Sequence, residues 1–283
     1  QDLPKRDFEV IIVDDCSSDN TAEIVAQFPF AIRIRLEKNS GPGFARNAGM
    51  AKGNGEIVLF LDADLEVATD LFRKHVEFHH RNPEIAAAGG SVCAANGGIL
   101  SCATADHLST WFNAHPKVQY AQLPEYLPSL NFSVKRDLVL ETFKMTWSDG
   151  LKHTGEDVIY CHSLRSKGGK IAFVNDARVF HRDREELSAF LKHQYRFGFH
   201  APFVRGSLAN LKYGFLFTKN PAMFVFTVPS IVFGYTALTW VSWLRVHPVL
   251  VSVALPQIFL GKMAYAWGVV KGTFAFNQRK SVA

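Results

Sequence analysis

The 283 residues hold only four cysteines, Cys16, Cys93, Cys102 and Cys161, and no two stand at C-x-x-C spacing. That scarcity argues against a disulfide framework or a zinc site. Unpaired thiols also suit a reducing compartment better than an oxidising one. No G-x-G-x-x-G follows the first apolar run; Asp14-Asp15 stand in that turn instead, which disfavours a dinucleotide oxidoreductase. The net charge is +5 and the pI about 9.0, yet the Lys and Arg residues form no stripe interleaved with aromatics, so nucleic acid is not an expected partner. Internal repeats and low-complexity tracts are absent. Residues 1–6 are polar with no apolar run, so no signal peptide is expected there.

What is present is enough apolar sequence, 48%, to bury a sizeable core. From about residue 8 to residue 174, short apolar runs alternate with helix-like stretches, the pattern of an α/β sheet. Val10-Ile11-Ile12-Val13 is continuous and β-branched, as in a strand covered on both faces. It ends at Asp14-Asp15, and a capped helix through Ile24 and Val25 follows. Further strands are expected at 31–36, 57–61, 85–95 and 170–174, and helices at 44–52, 69–80, 101–113 and 158–167.

Beyond residue 200 the composition changes. Residues 223–244 carry no charge, and about 20 apolar residues span a bilayer. Residues 249–270 form a second apolar stretch, interrupted by Gln257 and Lys262. Only Arg245-Val246-His247-Pro248 joins the two, so a transmembrane helical hairpin is expected. Arg205, Lys212 and Lys219 precede it, and Lys271, Arg279 and Lys280 follow it. The positive-inside rule then puts both ends, and the large domain, on the cytoplasmic side of the inner membrane. Residues 187–213, rich in aromatics and cations, are expected along the bilayer surface.

The chemistry centres on Phe60-Leu61-Asp62-Ala63-Asp64. Two carboxylates one residue apart, just past a buried strand, sit where open α/β sheets bind ligands. Such hard oxygen donors suit Mg²⁺ or Mn²⁺, which neutralises a pyrophosphate. Taken alone, a D-x-D tripeptide is equally at home in a solvated turn.

Context narrows the choice. The run from Val10 through Asp14-Asp15-Cys16-Ser17-Ser18-Asp19-Asn20-Thr21 resembles the opening fingerprint of family 2 glycosyltransferases. So do Asn39-Ser40-Gly41-Pro42-Gly43-Phe44-Ala45-Arg46-Asn47-Ala48-Gly49 and Gly53-Asn54-Gly55-Glu56 leading into the D-x-D strand. A weaker likeness continues through Asn175-Asp176-Ala177-Arg178-Val179-Phe180-His181. The resemblance implies a GT-A-type nucleotide-binding domain with a mixed, mostly parallel sheet over residues 1–200. An interfacial linker (201–220), the hairpin (221–271) and a basic cytoplasmic tail (272–283) would follow. Family members begin with one more strand, ending in a Pro-x-Tyr-Asn-like motif; only residues 1–8 precede the first motif here, so the domain is expected to be incomplete at its N-terminus.

By the same resemblance, Asp15 binds the base of a nucleotide-sugar, most simply a UDP-sugar, since a carboxylate accepts a uracil N–H. Its competing role is to cap a helix. Arg46 suits donor phosphate, or else a surface ion pair. Asp64 is the direct metal ligand, Asp62 lies near the ribose or metal, and His181 is a candidate third ligand, although a lone His is more often packed or solvated. Asp157, with Glu156 as fallback, matches the acid pair that takes the acceptor proton; at a helix start the pair also suits the macrodipole. Asn131 and Trp147 match acceptor-side positions. Gln194-Tyr195-Arg196-Phe197 falls short of the Q-x-x-R-W motif of processive members. The expected activity is inverting, metal-dependent sugar transfer to a membrane-associated glycan or lipid-linked saccharide. A polyprenyl-phosphate sugar synthase and a catalytically idle, fold-retaining binding subunit remain open.

Overall fold

The computed structural model describes residues 1–111, 114–115, 124–138, 154–205, 208, 214–217 and 220–280. Strand β1 (Ile11–Asp14) pairs in parallel with β2 (Ile32–Arg35), and helix α1 (Thr21–Ala26) crosses between them. Helix α2 (Pro42–Lys52) starts at Gly41-Pro42, with Pro at a position where its missing N–H costs nothing, and packs on β1. Strand β3 (Ile57–Leu61), short β4 (Leu65–Val67), helix α3 (Leu71–Arg81), β5 (Ile85–Ala94), α4 (Cys102–Thr110) and β6 (Asn131–Lys135) follow. Then come α5 (Glu156–Ser166), the long β7 (Lys170–His181) and α6 (Leu187–Val204).

Strands β3 to β7 form a second sheet in the order β3-β6-β5-β7-β4. The strand β5 is central and buried along most of its length, because Ile85-Ala86-Ala87-Ala88-Gly89-Gly90 offers nothing polar to solvate. Of the pairings, β1–β2 and β5–β7 are parallel, while β3–β6, β5–β6 and β4–β7 are antiparallel. The sheet is therefore mixed as expected, but not mostly parallel. The reason is that β3 and β5 are separated in the sheet by β6, which runs against both. Strand β1 bonds only β2 and β3 bonds only β6 among the described residues, and both strands line the same cleft.

The C-terminal helices correct the hairpin. A run from Pro221 to Leu244, comprising α7 (Phe224–Pro229), a π-helical turn at Ser230–Gly234 and α8 (Tyr235–Leu244), is long and apolar enough to cross a membrane. The stretch 249–270 instead splits into α9 (Pro248–Val253) and α10 (Leu255–Lys280), and α10 lies along α6. Its glycines allow a close approach. A Cβ on Gly268 would stand 2.2 Å from the Tyr195 carbonyl oxygen, and one on Gly272 2.0 Å from that of Phe199. Lys262 is buried and donates to the Ser109 carbonyl at 3.2 Å. Helix α6, expected at a bilayer surface, is held between α10 and the cleft.

Candidate active site

A cleft of about 2090 Å³ is lined by the length of β1 and β3, parts of α1, α2 and α3, the start of α5, one face of α6 and parts of α8 and α10. Asp15, Arg46, Asp62, Asp64, Glu156, Asp157 and His181 all lie on it.

At its first lip, Cys16 takes φ 62, a left-handed turn that few side chains adopt. Next to it, the Asp15 carboxylate accepts from the Ser40 amide at 2.7 Å and the Gly41 amide at 2.8 Å. Asp15 thus ties β1 to the loop that starts α2, while each oxygen keeps a second lone pair for a ligand. Asp14 is held by the Ser17 amide at 2.8 Å and by Arg35 at 2.9 Å.

The D-x-D pair divides. Arg46 on α2 donates to Asp62 Oδ1 and to Glu156 Oε1, both at 2.7 Å. Asp62 is therefore directed at a guanidinium, and of the two roles open to Arg46 the structure shows the ion pair, largely buried rather than at the surface. Asp64 turns the other way. Pairing of β4 with β7 sets Leu65 opposite His181, which brings His181 Nε2 to 3.6 Å from Asp64 Oδ2. Among the described residues, no three His, Cys, Asp or Glu side chains cluster for a metal. Of the expected Asp62, Asp64 and His181, the structure brings the last two together and turns Asp62 to Arg46.

Behind His181 stands a network that the motifs did not reveal. His181 Nδ1 lies 3.0 Å from Asp183 Oδ1, His107 Nδ1 lies 2.8 Å from Asp183 Oδ2, and Trp111 Nε1 donates to Asp183 at 2.9 Å. Burial works against the charge on Asp183, but its bonds to His107 and His181 prevail and hold its carboxyl well below the usual range. Burial likewise disfavours a charged His181, yet Asp183 and Asp64 raise it to about 9. Asp106 is buried alongside, 2.9 Å from His193 Nδ1 and 3.4 Å from Arg184 Nη1; Gln194 donates to it at 3.3 Å. The sequence signal for Asp183 was its place two residues past His181.

On the far wall, Gly155 takes φ 92, and a Cβ there would stand 2.7 Å from Val204 Cγ2. A glycine is needed to deliver Glu156-Asp157 at the start of α5. Burial first, and the neighbouring Glu156 second, push the Asp157 carboxyl up to about 7. A group of that value exchanges protons near neutrality. Glu156 Oε2 is buried and has no hydrogen-bond partner among the described residues.

Asn131 is not part of the cleft lining. It is buried at 1% exposure, donates to the Ser91 and Ala177 carbonyls, and lies 2.9 Å from His75 Nε2. Its amide holds β6 to β5 and β7. Trp147 lies outside the described residues.

Residues 1–124 match the family model described as Glycosyl transferase family 2. Over these residues the chain is similar to glycosyl transferase family 2. The chain is 40% identical over 87 residues to the poly(ribitol-phosphate) beta-N-acetylglucosaminyltransferase TarS of Staphylococcus aureus, covering 28% of this chain and 15% of TarS. It is 31% identical over 196 residues to the succinoglycan biosynthesis protein ExoO of Rhizobium meliloti, covering 62% of this chain and 53% of ExoO. The matched part thus spans at most about half of these curated relatives. Two solved structures share the fold: residues 1–349 of S. aureus TarS (TM-score 0.53, 18% identity, 98% of this chain and 85% of that one) and the mannosyltransferase PcManGT from Pyrobaculum calidifontis in complex with GDP-Man and Mn2+ (TM-score 0.61, 17% identity, 97% and 80%). The fold is of the GT-A type.

Proposed function

We propose that this chain is a family 2 glycosyltransferase that transfers a sugar, with inversion, from a nucleotide-sugar to a hydroxyl of a membrane-associated acceptor. The observation that carries this reading is the convergence of Asp15, Asp64 and Asp157, remote in sequence, on one cleft. Relatives and fold neighbours support it: TarS has been crystallised with UDP-GlcNAc, and PcManGT with GDP-Man and Mn2+. Asp15 would receive the base at the β1 lip.

Asp64 and His181, facing each other at 3.6 Å beside open cleft, would form a two-residue platform for a divalent cation once the cation displaces the proton that His181 Nε2 holds toward Asp64. Mn²⁺ accepts that donor pair more readily than Mg²⁺ does. When bound, such a cation offsets charge on the departing nucleoside diphosphate. Asp157 takes the proton of the acceptor hydroxyl as its oxygen bonds the anomeric carbon and the carbon–oxygen bond to the diphosphate breaks. Asp183 fixes the ring of His181, and Arg46 holds Asp62 and Glu156 in place. The helical run Pro221–Leu244 supports attachment to a membrane, which keeps a membrane-bound acceptor near the cleft.

The test is turnover of a panel of nucleotide-sugars by the full chain with Mn²⁺ and with EDTA. Release of nucleoside diphosphate from one donor, dependent on the cation and slowed at least a hundredfold in Asp157→Asn, is expected. No turnover of any donor, with no nucleotide binding, rejects the proposal.

A further inference from the structure

The cleft-facing side of α6 carries His193, Arg196, Phe197, His200, Val204 and, just past the helix, Arg205, at the three- and four-residue spacing of one helical face. No acidic residue occurs anywhere on α6. His193 is committed to Asp106, which leaves Arg196 and Arg205 as the permanent charges of this row. Arg196 is exposed. Arg205 sits over the Tyr126 ring at 5.3 Å and over Phe217 at 5.7 Å, and donates to Tyr126 Oη at 3.0 Å. Among the described residues, no carboxylate forms an ion pair with it. The same wall places Arg205 beside the turn that delivers Asp157, since its neighbour Val204 touches Gly155.

A largely buried guanidinium normally finds a carboxylate. Arg46, 12% exposed on the opposite wall, has two. Arg205 instead has aromatic faces and a phenol, and it acts on the Asp157 carboxyl through space without an ion pair between them. Such a group is arranged to receive an anion from outside, and a planar fork favours phosphate oxygens. We propose that the acceptor is anionic, a phosphate ester or phosphodiester, and that it lies along α6 with one phosphate on Arg205 and a further one toward Arg196. This rests on the transferase reading and specifies the acceptor side of the same cleft. Donor diphosphate belongs to the Asp64–His181 end, so the two anion sites serve different molecules.

The experiment uses the full chain with UDP and Mn²⁺ at saturation, so that the donor end is filled. Calorimetry measures a poly(glycerol phosphate) oligomer, an uncharged dextran oligosaccharide of equal length, and phosphatidylglycerol vesicles. The anionic oligomer or the vesicles should bind with an affinity that falls as salt is raised, and dextran should not. The arm that responds tells a soluble phosphodiester chain from a lipid headgroup. Arg205→Gln should weaken that binding at least tenfold and Arg196→Gln severalfold, while Arg205→Lys retains most of it. Lys192→Gln, off the cleft on the same helix, should have no effect. UDP affinity should be unchanged in every variant. Equal binding of dextran, or unchanged affinity in both Arg205→Gln and the exposed Arg196→Gln, overturns the proposal. Failure of the wild-type chain to bind UDP at all would instead strike at the donor reading.

Discussion

Arg46 Nη1 and Glu156 Oε1 lie 2.7 Å apart although 110 residues separate them. The same guanidinium holds Asp62 at 2.7 Å, so one side chain of α2 fastens the end of β3 to the start of α5. Both Arg46 and Glu156 are largely buried, at 12% and 10% side-chain exposure. Removing one partner of such a pair strands the other charge, at about 3–5 kcal/mol. Arg46→Met should therefore lower the melting temperature strongly, and the double variant Arg46→Met/Glu156→Gln should recover much of the loss. A double variant no more stable than the single one would show that the two groups are not coupled.

Asp157 makes a pH prediction in two parts. Its folded value of about 7 stands above the 3.8 of an ordinary Asp. Between those values the folded chain holds a proton that the unfolded chain releases, so this group makes stability fall as pH rises from about 4 to 7. Asp157→Asn should flatten that dependence in melting curves. As the proposed base, Asp157 works only when deprotonated, so wild-type transfer should climb through pH 7 and level off above it. The variant should lose about 10²–10⁴ in rate, with UDP affinity near normal.

At the other end of the cleft, Asp64 offers an exposed carboxylate to the solvent side of His181. Asp64→Ala should remove the Mn²⁺-dependent part of UDP binding, measured by calorimetry with and without the ion, and leave the fold intact because the side chain is 61% exposed. His181→Gln should act in the same direction. UDP binding that responds to Mn²⁺ as strongly in Asp64→Ala as in wild type would remove the cation from this place.

How much of this was legible in the sequence depended on the range of the signal. Strand β3 at 57–61 followed from a continuous apolar run ending in a charged turn, a local pattern that tertiary contacts had no reason to override. The three-residue β4 escaped, because Leu65-Glu66-Val67 is too short to show a period and is a strand only through its pairing with β7. That missed strand is what brings His181 to Asp64. Likewise Asp106 and Asp183 are ordinary acids in the sequence. Only folding shows that they are fully buried among histidines. The sequence left Arg46 between phosphate and a surface ion pair because its two carboxylate partners come from β3 and α5, elements whose proximity no local spacing records. Asn131 was read as an acceptor contact from motif position, whereas its burial is decided by the neighbours β5 and β7. Hydropathy could not tell a lipid-facing helix from one docked on α6, since both are apolar; the glycines of α10 carried that information in their close contacts.

Those glycines give the last prediction. Residues 249–270 had the composition of a second membrane span, but Gly268 brings α10 to the backbone of α6, where a Cβ would stand 2.2 Å from the Tyr195 carbonyl oxygen. A backbone cannot yield as a flexible side chain can, so any larger residue must wedge the helices apart. Overpacking of this kind costs about 1–3 kcal/mol. Gly268→Leu should lower the melting temperature and make α6 more open to protease. Because α6 also walls the cleft, acceptor affinity should fall while UDP affinity, set on β1 and β3, changes little. A helix standing alone in lipid would accept leucine at this position without loss, since lipid tails are as apolar as the side chain. Unaltered melting and acceptor affinity in Gly268→Leu would therefore return α10 to the membrane and take the α6–α10 contact away.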